Sequence, residues 1–204
     1  MKNFLTSLIL IIPLNNCLSQ SIEIMPGSKR IFIDLQWLKP FDDKYKWTLF
    51  TRSRATAEYG NNNTNLFTGA YLNYTSKTGV GGTLLGRVST TSSGLDLGVH
   101  YFKNGKNFMI YALPAIALKS DLSYSWFSIV RYTPKLTDTW ILYTSLELFS
   151  NFNTSGHIAS VQRVRLGSGY RDWQFGLALN LAGIGKNYEN KDTNPGIFVR
   201  KIFD

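Results

Sequence analysis

"LSYSWFSIVRYTP" (Leu122 to Pro134) alternates residue by residue between two chemistries. One face carries Leu122, Tyr124, Trp126, Ser128, Val130 and Tyr132, and the other Ser123, Ser125, Phe127, Ile129, Arg131 and Thr133. A period of two is that of a β-strand whose sides meet different surroundings. The aromatic and aliphatic face suits an apolar medium. The opposite face holds Arg131, whose guanidinium must find water or a partner.

The pattern repeats on both sides of this stretch. Beyond residue 44, clusters of Gly, Asn, Asp, Ser and Pro such as "YGNNNTN", "SKTG", "TSSG", "KNGK" and "NTSGH" punctuate the chain, as residues that tolerate positive φ or pre-set a turn do. Ten strands are expected between them, at 45–59, 65–77, 79–91, 94–103, 106–119, 122–134, 139–152, 157–169, 172–184 and 195–203. The first sets Tyr45, Trp47, Leu49, Ala55, Ala57 and Tyr59 against Lys46, Thr48, Arg52, Arg54 and Glu58. Another sets Trp173, Phe175, Leu177, Leu179 and Leu181 against Gln174, Gly176, Ala178 and Asn180. "QRVRLG" is less tidy, because Val161 shares parity with Arg163 and Arg165. No segment has helical periodicity, and no linker marks a second domain.

Alternation alone would also suit a soluble sandwich. The aromatic positions discriminate. With ten strands running up and down and the last descending to the periplasm, Tyr45, Trp47, Tyr74, Tyr101, Phe108, Tyr132, Trp140, Trp173 and Phe203 all fall at periplasmic strand ends, on the parity of the apolar face. Amphipathic rings at one level form the girdle of a membrane barrel. The ending "GIFVRKIFD" places Ile197, Val199 and Phe203 on that face. It resembles the C-terminal strand of small Gram-negative outer-membrane β-barrel proteins, with Asp204 and the outward parity of Lys201 as departures. The resemblance implies an all-β, up-and-down antiparallel transmembrane β-barrel, residence in the bacterial outer membrane among its lipid and lipopolysaccharide, and assembly by machinery that reads a terminal aromatic strand. It points to no family of known activity.

The opening "MKNFLTSLILIIPLNNCLSQS" combines Lys2, an apolar run over residues 4–14 and small residues after it. This is the form of a secretory signal peptide, expected at 1–19 with cleavage after Ser19. Leu14 fits a lipoprotein signal ending at Cys17, but Asn15 and Asn16 argue against lipidation. Cys17 is the only cysteine, so the exported chain would have no disulfide, thiol nucleophile or thiolate metal site. The net charge of +9 suits phosphates of lipopolysaccharide or anionic solutes, and export speaks against nucleic acid. Residues 20–43, "QSIEIMPGSKRIFIDLQWLKPFDD", form an extension that adds one or two strands, stays periplasmic or enters the lumen, ahead of a barrel over 44–204. Bacterial barrels usually have an even strand number, so ten or twelve strands are expected.

Parity places Arg52, Arg54, Arg87, Lys119, Arg131, Arg163, Arg165 and Arg200 inside, with Glu58, Asp96, Glu147 and His100. Small inward residues, Gly69, Gly81, Gly98, Gly176 and Ala178, leave room or accommodate neighbouring arginines. Such an interior is either a narrow, positively lined path for small anions or a packed polar core of ion pairs. The first expectation is a non-catalytic passive channel, and the alternative a closed structural or surface-interaction barrel. A lipid-modifying enzyme stands third. It would need a base beside a nucleophile, and His157 has Ser155 and Ser160 near it in sequence, with Glu58 at the same level, while His100 lies at the opposite membrane side. No catalytic residue, metal ligand or cofactor is assigned. "GVGG" (Gly79 to Gly82) precedes no helix and is no phosphate loop. The stretches 60–65 and 185–195 are expected as exposed loops.

Overall fold

In the computed structural model, which describes residues 20–60, 63–119 and 121–203, every alternating segment is an antiparallel strand. They are β1 (Gln20–Pro26), β2 (Arg30–Pro40), β3 (Trp47–Glu58), β4 (Thr64–Thr75), β5 (Val80–Ser89) and β6 (Ser93–Asn104). The second half comprises β7 (Phe108–Ala117), β8 (Ser123–Tyr132), β9 (Trp140–Asn153), β10 (Gly156–Tyr170), β11 (Trp173–Ile184) and β12 (Asn190–Phe203). Each pairs with its sequence neighbours, and β1 pairs with β12 from Gln20↔Phe203 to Ile24↔Val199, closing a twelve-stranded barrel. Closure leaves no unpaired edge. The even count brings Gln20 and Phe203 to one rim, called the near rim below. Connections after Pro26, Glu58, Ser89, Ala117, Asn153 and Ile184 open at the far rim.

Residues 20–40 thus supply the two strands that complete the ring. The expected signal peptide at 1–19 lies outside the described residues. The expected loop over 185–195 is shorter, because β12 begins at Asn190. Its polar start "NKDTN" was misread as loop. A strand that reaches past an apolar belt into water carries polar side chains freely. Asn194 is buried there: its Oδ1 accepts from the Lys29 and Arg30 amides at 2.9 and 3.3 Å, and its Nδ2 donates to the Arg30 carbonyl at 3.0 Å. That bond set ties the β1–β2 hairpin to β12.

The polarity of the wall is inside-out. Leu97, Val99, Leu166, Leu177 and Ile197 point outward and are more than half exposed, whereas Asp34 and Arg52 inside are 2 % and 3 % exposed. A continuous apolar belt of this kind is incompatible with water and is what a bilayer demands. All nine aromatic residues expected at the near rim are exposed there, from Tyr45 in the β2–β3 turn to Phe203. Trp47 packs on Tyr74 with centroids 5.0 Å apart. The Lys201 ammonium lies 4.7 Å from the Trp173 ring and 5.6 Å from that of Phe203, so this outward lysine reaches the interface along its stem.

Gly69, Gly81 and Gly98 make way for rings, aliphatic side chains and backbone, and Gly94 stands beside Arg87. A Cβ on Gly81 would stand 1.9 Å from the Tyr74 carbonyl and 2.6 Å from the His100 ring, and one on Gly98 2.6 Å from Leu113. Pro114 has no amide to donate, and the β6–β7 ladder skips from Gly98↔Ala115 to Tyr101↔Ala112 beside it.

The β2–β3 turn is held by one carboxylate. Asp42 accepts from the amides of Lys44 (3.0 Å), Lys46 (3.1 Å) and Trp47 (2.7 Å). Those bonds hold its carboxyl below the ordinary aspartate value. A depressed folded pKa means stabilisation present above the unfolded value and lost as pH falls through the folded one. Asp42→Asn is therefore expected to lower the urea midpoint at pH 7, with the gap to the parent protein closing as pH drops below 3.8. A gap that persists unchanged at pH 2 would mean the turn does not depend on the charge.

Candidate functional site

β3 and β9 lie six places apart in the ring of twelve, so side chains that join them cross the full width of the barrel. Glu147 on β9 does this. Its Oε2 accepts from Arg52 Nη2 at 2.7 Å and its Oε1 from Arg54 Nη2 at 2.7 Å, both on β3. Arg163 Nη1, on neighbouring β10, also bonds Oε1. Arg52 in turn grips Asp34 of β2 with two nitrogens, Nε to Oδ1 at 2.8 Å and Nη2 to Oδ2 at 2.5 Å. This bidentate geometry is the strong form of the pair. The guanidinium planes also lie over rings: Arg163 is 4.8 Å from the Phe32 centroid, and Arg52 and Arg54 are each 5.9 Å from that of Phe127.

Apolar side chains fill the space on both sides of this bar. Tyr71, Leu85, Leu113, Ala115, Phe127 and Ile129 form one buried cluster. Met25, Phe32, Tyr143, Ala178 and Phe198 form the other, against the wall where β1 meets β12. Arg165 adds a second cross-wall pair, 2.8 Å from Glu23 of β1, and also donates to Asn180 at 2.9 Å. Toward the near rim, His100 is a fully bonded core residue. Thr83 donates its hydroxyl to Asn73 (2.7 Å), so His100 Nδ1 donates to Thr83 (2.8 Å) and Nε2 accepts from Thr75 (2.9 Å).

Above the bar the barrel opens toward the far rim in a cavity of about 340 Å³. Arg54, Arg87, Arg163 and Asp96 line it with Asn65 and Asn151, and its floor is Tyr71, Leu113 and Phe127. Arg87 is held by Asp96 at 2.7 Å and by Ser92 at 3.1 Å. Glu58 stands at the far rim, 3.6 Å from Arg30, which also meets Asp192 at 2.6 Å. Arg131 and Arg200 lie in the near-rim half. Lys119 departs from expectation: β7 ends at Ala117, and Lys119 is exposed in the connection beyond it, away from the interior. The extra turn residues carry it out of the wall although its parity is inward.

Two of the four carboxylates buried in the interior, Asp34 and Glu23, were missed from sequence. Both sit in residues 20–40, set aside as an extension. Their alternation with Ile22, Ile24, Ile33 and Leu35 was the available signal.

His157 lies at the far rim on the outer side of the wall, paired with outward Phe152. A bulge between His157 and Ala159 shifts the register there; from Ala159 onward the alternation is regular, and Val161 lines the cavity on the face of Arg163. His157 Nδ1 donates to the Gly185 carbonyl and Nε2 meets Ser160 Oγ, both at 2.7 Å, and Tyr188 stacks on the ring. Ser155 instead bonds Asn153 through its amide. Among the described residues no group of three His, Cys, Asp or Glu side chains is arranged to hold a metal.

No protein-family model and no curated protein matches this chain. Solved structures do. The KdgM porin aligns with a TM-score of 0.54 at 11% identity, covering 92% of this chain and 100% of that one. The same values hold for the KdgM porin in complex with disordered oligogalacturonate and for the NanC porin in a rhombohedral crystal form. At this identity the likeness is one of fold, and the fold is the porin-like outer-membrane β-barrel.

Proposed function

We propose that this is a non-catalytic barrel of the bacterial outer membrane whose core is sealed by ion pairs, beneath a vestibule that receives an acidic ligand from outside. The observation that carries the reading is the bar of Asp34, Arg52, Arg54, Glu147 and Arg163 spanning the barrel with apolar clusters on both sides. A water-filled path through the bar would hydrate its centre, and Asp34, Arg52 and Glu147 are buried, while Arg54 and Arg163 are half-buried and face the vestibule. Outer-membrane lipid and lipopolysaccharide are the partners of the apolar belt and of the basic rim. The terminal strand ending at Phe203 is what assembly machinery would read.

The vestibule offers three guanidiniums against one carboxylate, over a floor of aromatic rings. Guanidiniums recognise carboxylates and rings stack on sugar faces, so an acidic oligosaccharide fits both. The complex of the KdgM porin with oligogalacturonate supports that class. In titrations of the refolded protein, a galacturonate oligomer is expected to bind and a neutral oligomer of equal length is not. Arg87→Gln should weaken binding about tenfold, near 1.4 kcal/mol. Equal affinity for the neutral oligomer would contradict the reading.

The second reading is a narrow passive channel favouring small anions, and the excess of arginine over carboxylate inside favours it, as does the porin-like fold. It requires the bar to move aside. The lipid-enzyme reading has only the His157–Ser160 contact in its support.

A further inference from the structure

We propose a small-anion site in the near-rim half of the barrel, formed by Arg131 and Arg200 and distinct from the vestibule above the bar. Arg131 is the penultimate residue of β8, and Arg200 lies three residues before the end of β12. Their side chains converge on one atom: Gln36 Oε1 accepts from Arg131 Nη2 at 3.2 Å and from Arg200 Nη2 at 3.5 Å. The orientation of Gln36 is fixed by its other end, since Nε2 donates to Asp34 at 2.7 Å and Asp34 is pinned by Arg52. Arg200 further donates to the Tyr143 hydroxyl and to Ser21 Oγ, each at 2.9 Å.

Every one of these acceptors is neutral. Among the described residues neither arginine forms a salt bridge, because Asp34, Glu147 and Glu23 are taken by Arg52, Arg54, Arg163 and Arg165. The Nε atoms of both are buried without an acceptor. A guanidinium does not shed its proton in a protein, and two such charges sharing a neutral oxygen in a largely dry interior repel one another. A mobile anion between them supplies the counter-charge and accepts the free N–H groups. Arg200 is 5 % exposed, Tyr143 2 %, and Arg131 half-buried, so a small anion such as a halide is the counter-charge that suits the site. Chloride from the periplasmic side is the ligand in ordinary salt.

The test uses the refolded full-length mature barrel and bromide as probe. Crystals soaked in bromide are expected to show an anomalous peak within hydrogen-bond reach of both guanidiniums. Replacing gluconate by chloride at equal ionic strength should raise the melting temperature by about 2–4 °C. Arg131→Gln should abolish both effects. Ser21→Asp should do so as well, since the introduced carboxylate, beside Arg200, would itself supply the counter-charge, and this variant retains both arginines if Arg131→Gln fails to fold. A bromide map of the parent protein without a peak at this position overturns the proposal. So does a chloride response that survives unchanged in Ser21→Asp. A silent or conducting barrel in bilayers leaves these readouts untouched, so they stand apart from the fate of the vestibule.

Discussion

Glu147→Gln is expected to destabilise the folded barrel by about 3–5 kcal/mol, the usual consequence of removing one partner from a buried ion pair. Glu147 accepts from Arg52, Arg54 and Arg163 at once. The amide would leave one buried and two half-buried guanidiniums with Asp34 as the remaining carboxylate of the bar. The loss is read from urea unfolding in lipid vesicles, with Glu58→Gln at the hydrated far rim as a control expected to stay within about 0.5 kcal/mol. A loss below about 1 kcal/mol for Glu147→Gln would mean that water already reaches the cluster, as in an open lumen.

Leu177→Arg is expected to cost about 2–4 kcal/mol in a bilayer, and Val88→Arg no more than about 1 kcal/mol. Both side chains point outward and are more than half exposed. They differ in height: Leu177 lies near the middle of β11, and Val88 is the penultimate residue of β5 at the far rim. The cost of a charge on a lipid-facing wall falls steeply from the midplane to the interface. On a water-exposed wall both changes would lie within about 0.5 kcal/mol. The contrast between two heights on the outer wall therefore reads the surrounding medium directly.

Much of this architecture was legible because a strand has a period of two. Parity assigned Tyr124, Trp126 and Tyr132 to the outside, and Phe127, Ile129 and Arg131 to the inside, before any pairing was known. Aromatic placement then gave the rims. Parity carries no information about partners or height, however. That Glu147 meets Arg52 and Arg54 depends on β3 and β9 standing opposite in a ring of twelve, and the ring number depended on β1 and β2. β1 is short, at 7 residues, and only "GSK" separates it from β2, so the pair did not stand out as two strands of the ring. Asp34 and Glu23 were lost with them, and with those carboxylates the distinction between a lined path and a paired core. Lys119 shows the complementary error: correct parity has no meaning past the end of a strand.

The central claim is that the interior is sealed at the Glu147 bar. Single-channel recording of the refolded protein in a planar bilayer, after heat-modifiable migration has established folding, tests it most directly. The account predicts a barrel that inserts and stays silent at moderate voltage. Steady conductance with anion selectivity, reduced by Arg163→Glu and Arg165→Glu, would contradict it and make the arginines the lining of a path.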